Sequence, residues 1–204
     1  MSWSLSEIES LCRKAARGAG TSWGMAEETG KSAVWLAAAG LPGPEALADL
    51  LERLQGADLR GFSPVIDGQA WHAPSGALCP IMAGCALSDL GCRDAVQMSG
   101  VIQPLLLLPF AVQAAQAPMV LRWPGAAFAC GGPLRGAALG LCAQADVQVS
   151  PGDMPELPLM DCALRYTPGA AEVVTLERFA CLTYAPETEA SRSGGAGAGT
   201  SDND

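Results

Sequence analysis

Histidine and lysine are nearly missing from this 204-residue chain, which has one histidine, His72, and two lysines, Lys14 and Lys31. A single histidine rules out any one-chain mechanism or metal site that needs two imidazoles. With 12 basic residues against 21 acidic ones the net charge is −9. Such a balance offers no clustered cations to displace counterions, so nucleic acid is not expected as a partner. Charge is also sparse, at 16% of residues against 50% apolar, far from the composition of disordered chains, so a packed core follows.

No apolar run is long enough to span a bilayer. The longest, Pro104 to Val112, carries Pro104 and Pro109 between Gln103 and Gln113, and no membrane association is expected. Glu7 and Glu9 precede any apolar stretch, unlike a positively charged secretory leader, so the expected location is cytoplasmic. The eight cysteines, at 12, 79, 85, 92, 130, 142, 162 and 181, have mostly apolar neighbours, read as reduced, buried small hydrophobes, and imply no disulfide framework.

The pattern predicts a mixed α/β (α+β) fold: three helices, then a mainly β region with a C-terminal helix. Ser4 and Glu7 form a capping-box pattern before a helix over Leu5–Arg17, with Leu5, Ile8, Leu11, Cys12 and Ala15 on one face. Ser22 is the N-cap of a second helix over Trp23–Ala39, and Pro44 opens a third that stops before Gly56. From residue 57 onward Gly and Pro recur, and strands are expected at Pro64–Ile66, Gln69–His72, Val101–Leu108, Met119–Trp123, Ala126–Cys130, Val147–Val149 and Cys162–Tyr166. Ala77–Leu90 fits either a bent strand or a short helix. A last helix is expected over Ala171–Tyr184, with a further helical turn from Pro186 to Arg192. One domain over residues 1–192 accounts for this order, with a helical segment 1–56 and a sheet-rich segment 57–192. Residues 193–204 contain only Gly, Ala, Ser, Thr, Asp and Asn, the composition of a flexible tail.

Chemical motifs are few. His72, Cys79, Cys85 and Cys92 could supply a tetrahedral zinc set, but gaps of six, five and six residues leave no Cys-x-x-Cys knuckle, and no metal is expected. Cys–His nucleophile pairs meet in space rather than in sequence, and nothing beside the cysteines marks one as activated. A Gly-x-Ser-x-Gly elbow is absent. The Gly131–Gly136 loop follows a strand, with Pro133 placed to open a helix, but lacks the Lys-Ser or Lys-Thr of a phosphate loop. The Gly18–Ser22 loop, just after Arg17, leads into the second helix, whose free N–H groups favour an anion; it follows a helix rather than a strand, as a plain helix–helix connection does. No catalytic residue and no cofactor can be named.

Two polar clusters are the candidate ligand-binding surfaces. The second helix carries Trp23, Glu27, Glu28, Lys31 and Trp35, either as exposed Glu27–Lys31 and Glu28–Lys31 ion pairs or as the rim of a polar-substrate site beside two indoles. Near the end, Tyr184, Glu189 and Arg192, with Thr183, Glu187 and Ser191, either receive a carboxylate or line a solvated helix. The candidate site residues are therefore Arg17, Trp23, Glu27, Lys31, Tyr184, Glu189 and Arg192.

The run Lys14-Ala15-Ala16-Arg17-Gly18-Ala19-Gly20, followed by Trp23-Gly24-Met25-Ala26-Glu27-Glu28, resembles a bacterial family known as domain of unknown function 3726. Leu78-Cys79-Pro80-Ile81, Ala83-Gly84 and the ending from Thr183 to Asp204 extend the resemblance. It brings no activity with it, but implies that the glycine-rich ending is used. The first three helices are also similar to the start of the malate and L-lactate dehydrogenase family that is not of Rossmann type. That family's Ser-His-Gly signature is replaced here by Leu59-Arg60-Gly61-Phe62-Ser63-Pro64, so no hydride-transfer role carries over. Two functions fit: an enzyme or enzyme subunit of small-molecule metabolism binding an anionic metabolite, or a non-catalytic accessory protein engaging a partner chain through its tryptophans and tail.

Overall fold

The computed structural model of the chain describes residues 2–184. The capping box forms as the sequence indicates: Ser4 N–H donates to Glu7 Oε2 at 2.7 Å and Glu7 N–H to Ser4 Oγ at 3.3 Å. Helix α1 (Leu5–Gly18) follows. Ser22 Oγ accepts from Met25 N–H at 3.3 Å and starts α2 (Trp23–Ala38). Helix α3 (Gly43–Leu54) begins one residue before the expected proline, and its Ala46, Leu47, Leu50, Leu51 and Leu54 are buried.

Strand β1 (Trp3–Ser4), unforeseen in the sequence, pairs antiparallel with β9 (Arg165–Tyr166), the remnant of the strand expected over Cys162–Tyr166. The main sheet holds seven strands: β2 (Val65–Asp67), β3 (Ala70–His72), β4 (Val96–Ile102), β5 (Met119–Trp123), β6 (Ala126–Cys130), β7 (Arg135–Ala138) and β8 (Gln144–Pro151). Their order is β2-β3-β4-β8-β5-β6-β7, with β3–β4 parallel and every other pairing antiparallel. The β2–β3 and β5–β6 hairpins match expectation, and Val147–Val149 is the centre of the longer β8.

Two segments differ from their sequence reading, and between them one left open is decided. Val101–Leu108 is not one strand: β4 ends at Ile102, Gln103 turns the chain at φ 41°, and a 3₁₀ turn (Pro104–Leu107) runs into α5 (Leu108–Ala114). Both prolines occupy the first turn of a helix, where the missing N–H costs nothing, and a run buried on all sides shows no period to tell helix from strand. Ala77–Leu90 resolves to α4 (Pro80–Leu90), again with proline leading. After Gly131–Gly132 the chain enters β7, not a helix at Pro133, because Arg135–Ala138 completes the meander against Ala126–Ala129. The C-terminal helix is α6 (Ala170–Cys181). The expected turn at Pro186–Arg192 and the tail lie outside the described residues.

One contiguous set of buried apolar side chains runs from Ile8, Leu36 and Leu47 through Leu106 to Met98, Leu121 and Phe128. Helix α1 packs on α2 and α6, and α3 on α2 and α6. Among the described residues no helix is long and apolar enough to cross a membrane.

The closest approach that positions the functional surface is between the ends of α1 and α6, where a Cβ on Gly18 would run into the backbone carbonyl of Phe179. A glycine inside a helix normally costs about 1 kcal/mol relative to alanine, so Gly18→Ala would stabilise α1 if space allowed. Because the obstacle is backbone, Gly18→Ala is expected instead to destabilise by roughly 1–3 kcal/mol. Urea denaturation of the two proteins checks the sign.

Candidate functional site

The end of α1, the first turns of α2 and the chain leaving α6 enclose a cavity of about 280 Å³. Three cations line it, Arg13, Lys14 and Arg17. Arg13 and Arg17 stand one helical turn apart and so share a face of α1. Opposite them are Trp23 and Glu27, likewise one turn apart on α2, while Thr183 and Tyr184 close the third side.

Arg17 is held in place. Its Nη1 donates to Thr21 O at 2.6 Å, and Cζ lies 5.0 Å from the centroid of the Trp23 ring. That cation–π contact contributes about 0.5–1 kcal/mol at an exposed site. The loop between them is secured by Thr21 Oγ1 donating to Ala16 O at 2.9 Å. Trp23 is 67% exposed and Tyr184 62%, so both rings stand open beside the guanidinium groups.

Of the residues anticipated from sequence, Arg17, Trp23, Glu27 and Tyr184 come together here. Lys31 does not. It donates to Glu28 Oε1 at 2.7 Å, a bond that raises its pKa, and with Trp35 and Phe110 it borders a separate cavity of about 250 Å³. Glu189 and Arg192 lie outside the described residues. Arg13 and Lys14 are additions, although the spacing from Arg17 already places Arg13 on its face of α1, and Thr183 joins them from the C-terminal cluster.

Other reactive groups are less well placed. His72 is exposed on β3, and among the described residues no group of three His, Cys, Asp or Glu side chains could hold a metal ion. Cys12, Cys79, Cys92 and Cys130 are buried, whereas Cys162 and Cys181 are exposed, contrary to the expectation that the cysteines serve as core hydrophobes. Burial pushes the thiol of Cys85 up to about 11 and that of Cys130 to about 12, and raises those of Cys12, Cys79 and Cys92. These groups are protonated and poorly nucleophilic near neutral pH. Gly131, at φ 89°, brings its backbone against Ala117 O, so this glycine serves a close-packed turn leading into β7.

Residues 3–79 match the model of a family described as Protein of unknown function (DUF3726). Over that stretch the chain resembles this family. The match takes in α1, α2, α3 and the β2–β3 hairpin, hence all of the cavity except Thr183 and Tyr184. No curated protein matches the chain.

The burial pattern sets the order of thiol chemistry. Brief iodoacetamide treatment at pH 8 should label Cys162 and Cys181 first and spare Cys12, Cys79 and Cys130 until denaturant is added. Peptide mapping of the label checks this, and fast labelling of Cys130 in the folded protein would contradict its environment.

Proposed function

We propose that the chain is a cytoplasmic enzyme or enzyme subunit of small-molecule metabolism, and that the cavity between α1, α2 and the end of α6 receives an anionic metabolite. The observation that carries this reading is charge. Three cations against one carboxylate converge on one cavity in a chain of net charge −9, so a local positive field stands in an otherwise repelling surface. At about 280 Å³ the cavity lies at the small end of ligand pockets, which suits a carboxylate or phosphate on a compact body. Guanidinium groups bind such anions through paired N–H donors, and the open Trp23 and Tyr184 faces supply apolar walls.

Calorimetric titration with citrate and inorganic pyrophosphate tests the proposal. Binding should weaken as salt is raised. Removing one charge-assisted contact costs about 1.5–3 kcal/mol, so Arg17→Ala should weaken Kd roughly tenfold or more, and Arg13→Ala should act in the same direction. Unchanged affinity in both variants, or stabilisation by neutral and cationic compounds alone, would overturn it.

The 67% exposure of Trp23 favours a second reading, in which this ring anchors a partner chain. The two diverge in Trp23→Ala combined with intact Arg13 and Arg17: anion affinity persists in weakened form under the first reading, while partner binding is lost under the second.

A further inference from the structure

A second charged cleft, of opposite sign, lies at the other end of α6. Helix α3 presents Glu45, Asp49 and Glu52 on one face, α6 adds Glu172 from its first turn, and Gln103 contributes the floor of a cavity of about 410 Å³. Glu45 is fixed, with Oε2 accepting from the Tyr166 hydroxyl at 3.1 Å and Oε1 from Gly169 N–H at 2.9 Å. The Glu172 carboxylate lies against Gly169 as well. Burial, followed by the charges of Glu45 and Glu172, raises the pKa of Tyr166, so both carboxylates bear on the same spot. Among the described residues neither of them forms an ion pair, whereas the other two carboxylates of the cleft do, Asp49 with Arg53 at 3.7 Å and Glu52 with Arg178 at 3.1 Å.

Gln103 is the independent sign of a missing ligand. It is 3% exposed, and it is the one non-glycine residue with positive φ among those described. Its Nε2 donates to Asp49 Oδ2 at 2.7 Å on the cleft wall, while its Oε1 is buried with no donor. A buried amide oxygen left unpaired is costly. Strained backbone and unmet hydrogen bonds of this kind gather where a ligand completes the structure.

The geometry points to this cleft as a binding site for a linear aliphatic polyamine. A bare metal ion does not fit, since Glu45 and Glu52 are separated by about 10 Å along the axis of α3 at 1.5 Å per residue. Nor does any triad of carboxylates among the described residues stand close enough to hold a metal ion. Ammonium groups spaced along a flexible chain match acidic groups spaced along a helix. Each primary ammonium brings three donors and no acceptor, enough for one to meet Asp49 and the Gln103 oxygen together while another lies between Glu45 and Glu172.

Titration of the full-length protein with spermidine at constant ionic strength tests this, with magnesium chloride as the comparison cation. One spermidine per chain should bind, far more tightly than magnesium. Glu172→Gln should weaken Kd about tenfold or more. Glu177→Gln makes the same charge change on α6 at a residue that does not line the cleft, and should leave Kd within about twofold. Gln103→Leu, if it folds, should also lose affinity; Asp49→Asn provides the same test where it does not. Equal losses in Glu172→Gln and Glu177→Gln, magnesium binding as tight as spermidine, or no saturable binding would each overturn the assignment.

Discussion

The contact on which the functional surface depends is the backbone-to-backbone approach of α1 and α6 at Gly18 and Phe179. Only a residue without a side chain allows the two helix ends to meet so closely. That approach puts the residues following α6, Thr183 and Tyr184, across from the cations of α1. The Gly18–Ser22 loop then reverses the chain, and α2 begins with Trp23 facing Arg17. Without this approach the α6 side of the cavity would draw away, while α1 and α2 keep their own packing.

Helix α6 also explains why two clefts of opposite sign occur on one acidic protein. Its 12 residues span about 18 Å, with partial positive charge at the start and partial negative charge at the end. Glu45 and Glu172 gather at the start. Arg13, Lys14 and Arg17 gather near the end, where α1 also terminates. The preference that stabilises helices by counter-charges at their ends has here collected more charge at each end than the helix needs. Tyr166 and Gly169 hold Glu45 in place, and Thr21 and Trp23 hold Arg17, so both groups of side chains are preorganised.

Local signals in the sequence were strong wherever a short stretch decides its own structure. Ser4 and Glu7, Ser22, and the strand pair Met119–Trp123 and Ala126–Cys130 take the forms that capping and β-propensity imply. The run from Val101 to Leu108 was not legible in this way, because it is buried throughout and its prolines serve as helix starts. Half of the basic cavity could be read from spacing, since Arg17, Trp23 and Glu27 fall within one helix–loop–helix. Lys31, chosen by the same reasoning, is taken up by Glu28. The acidic cleft was legible only in part: Glu45, Asp49 and Glu52 recur on one face of α3, but Gln103 and Glu172 come from distant parts of the chain and join them only by tertiary proximity.

The central claim is that an anion seats between the α1 cations and the face of Trp23. The indole N–H resonance of Trp23, assigned by comparison with Trp23→Phe, reports on that position directly in a ¹⁵N-labelled sample titrated with pyrophosphate. The account predicts a saturable shift of this signal, with the indole resonances of Trp71 and Trp123 in the sheet unmoved. A titration that leaves Trp23 unchanged, or that shifts all the tryptophans alike, would contradict it.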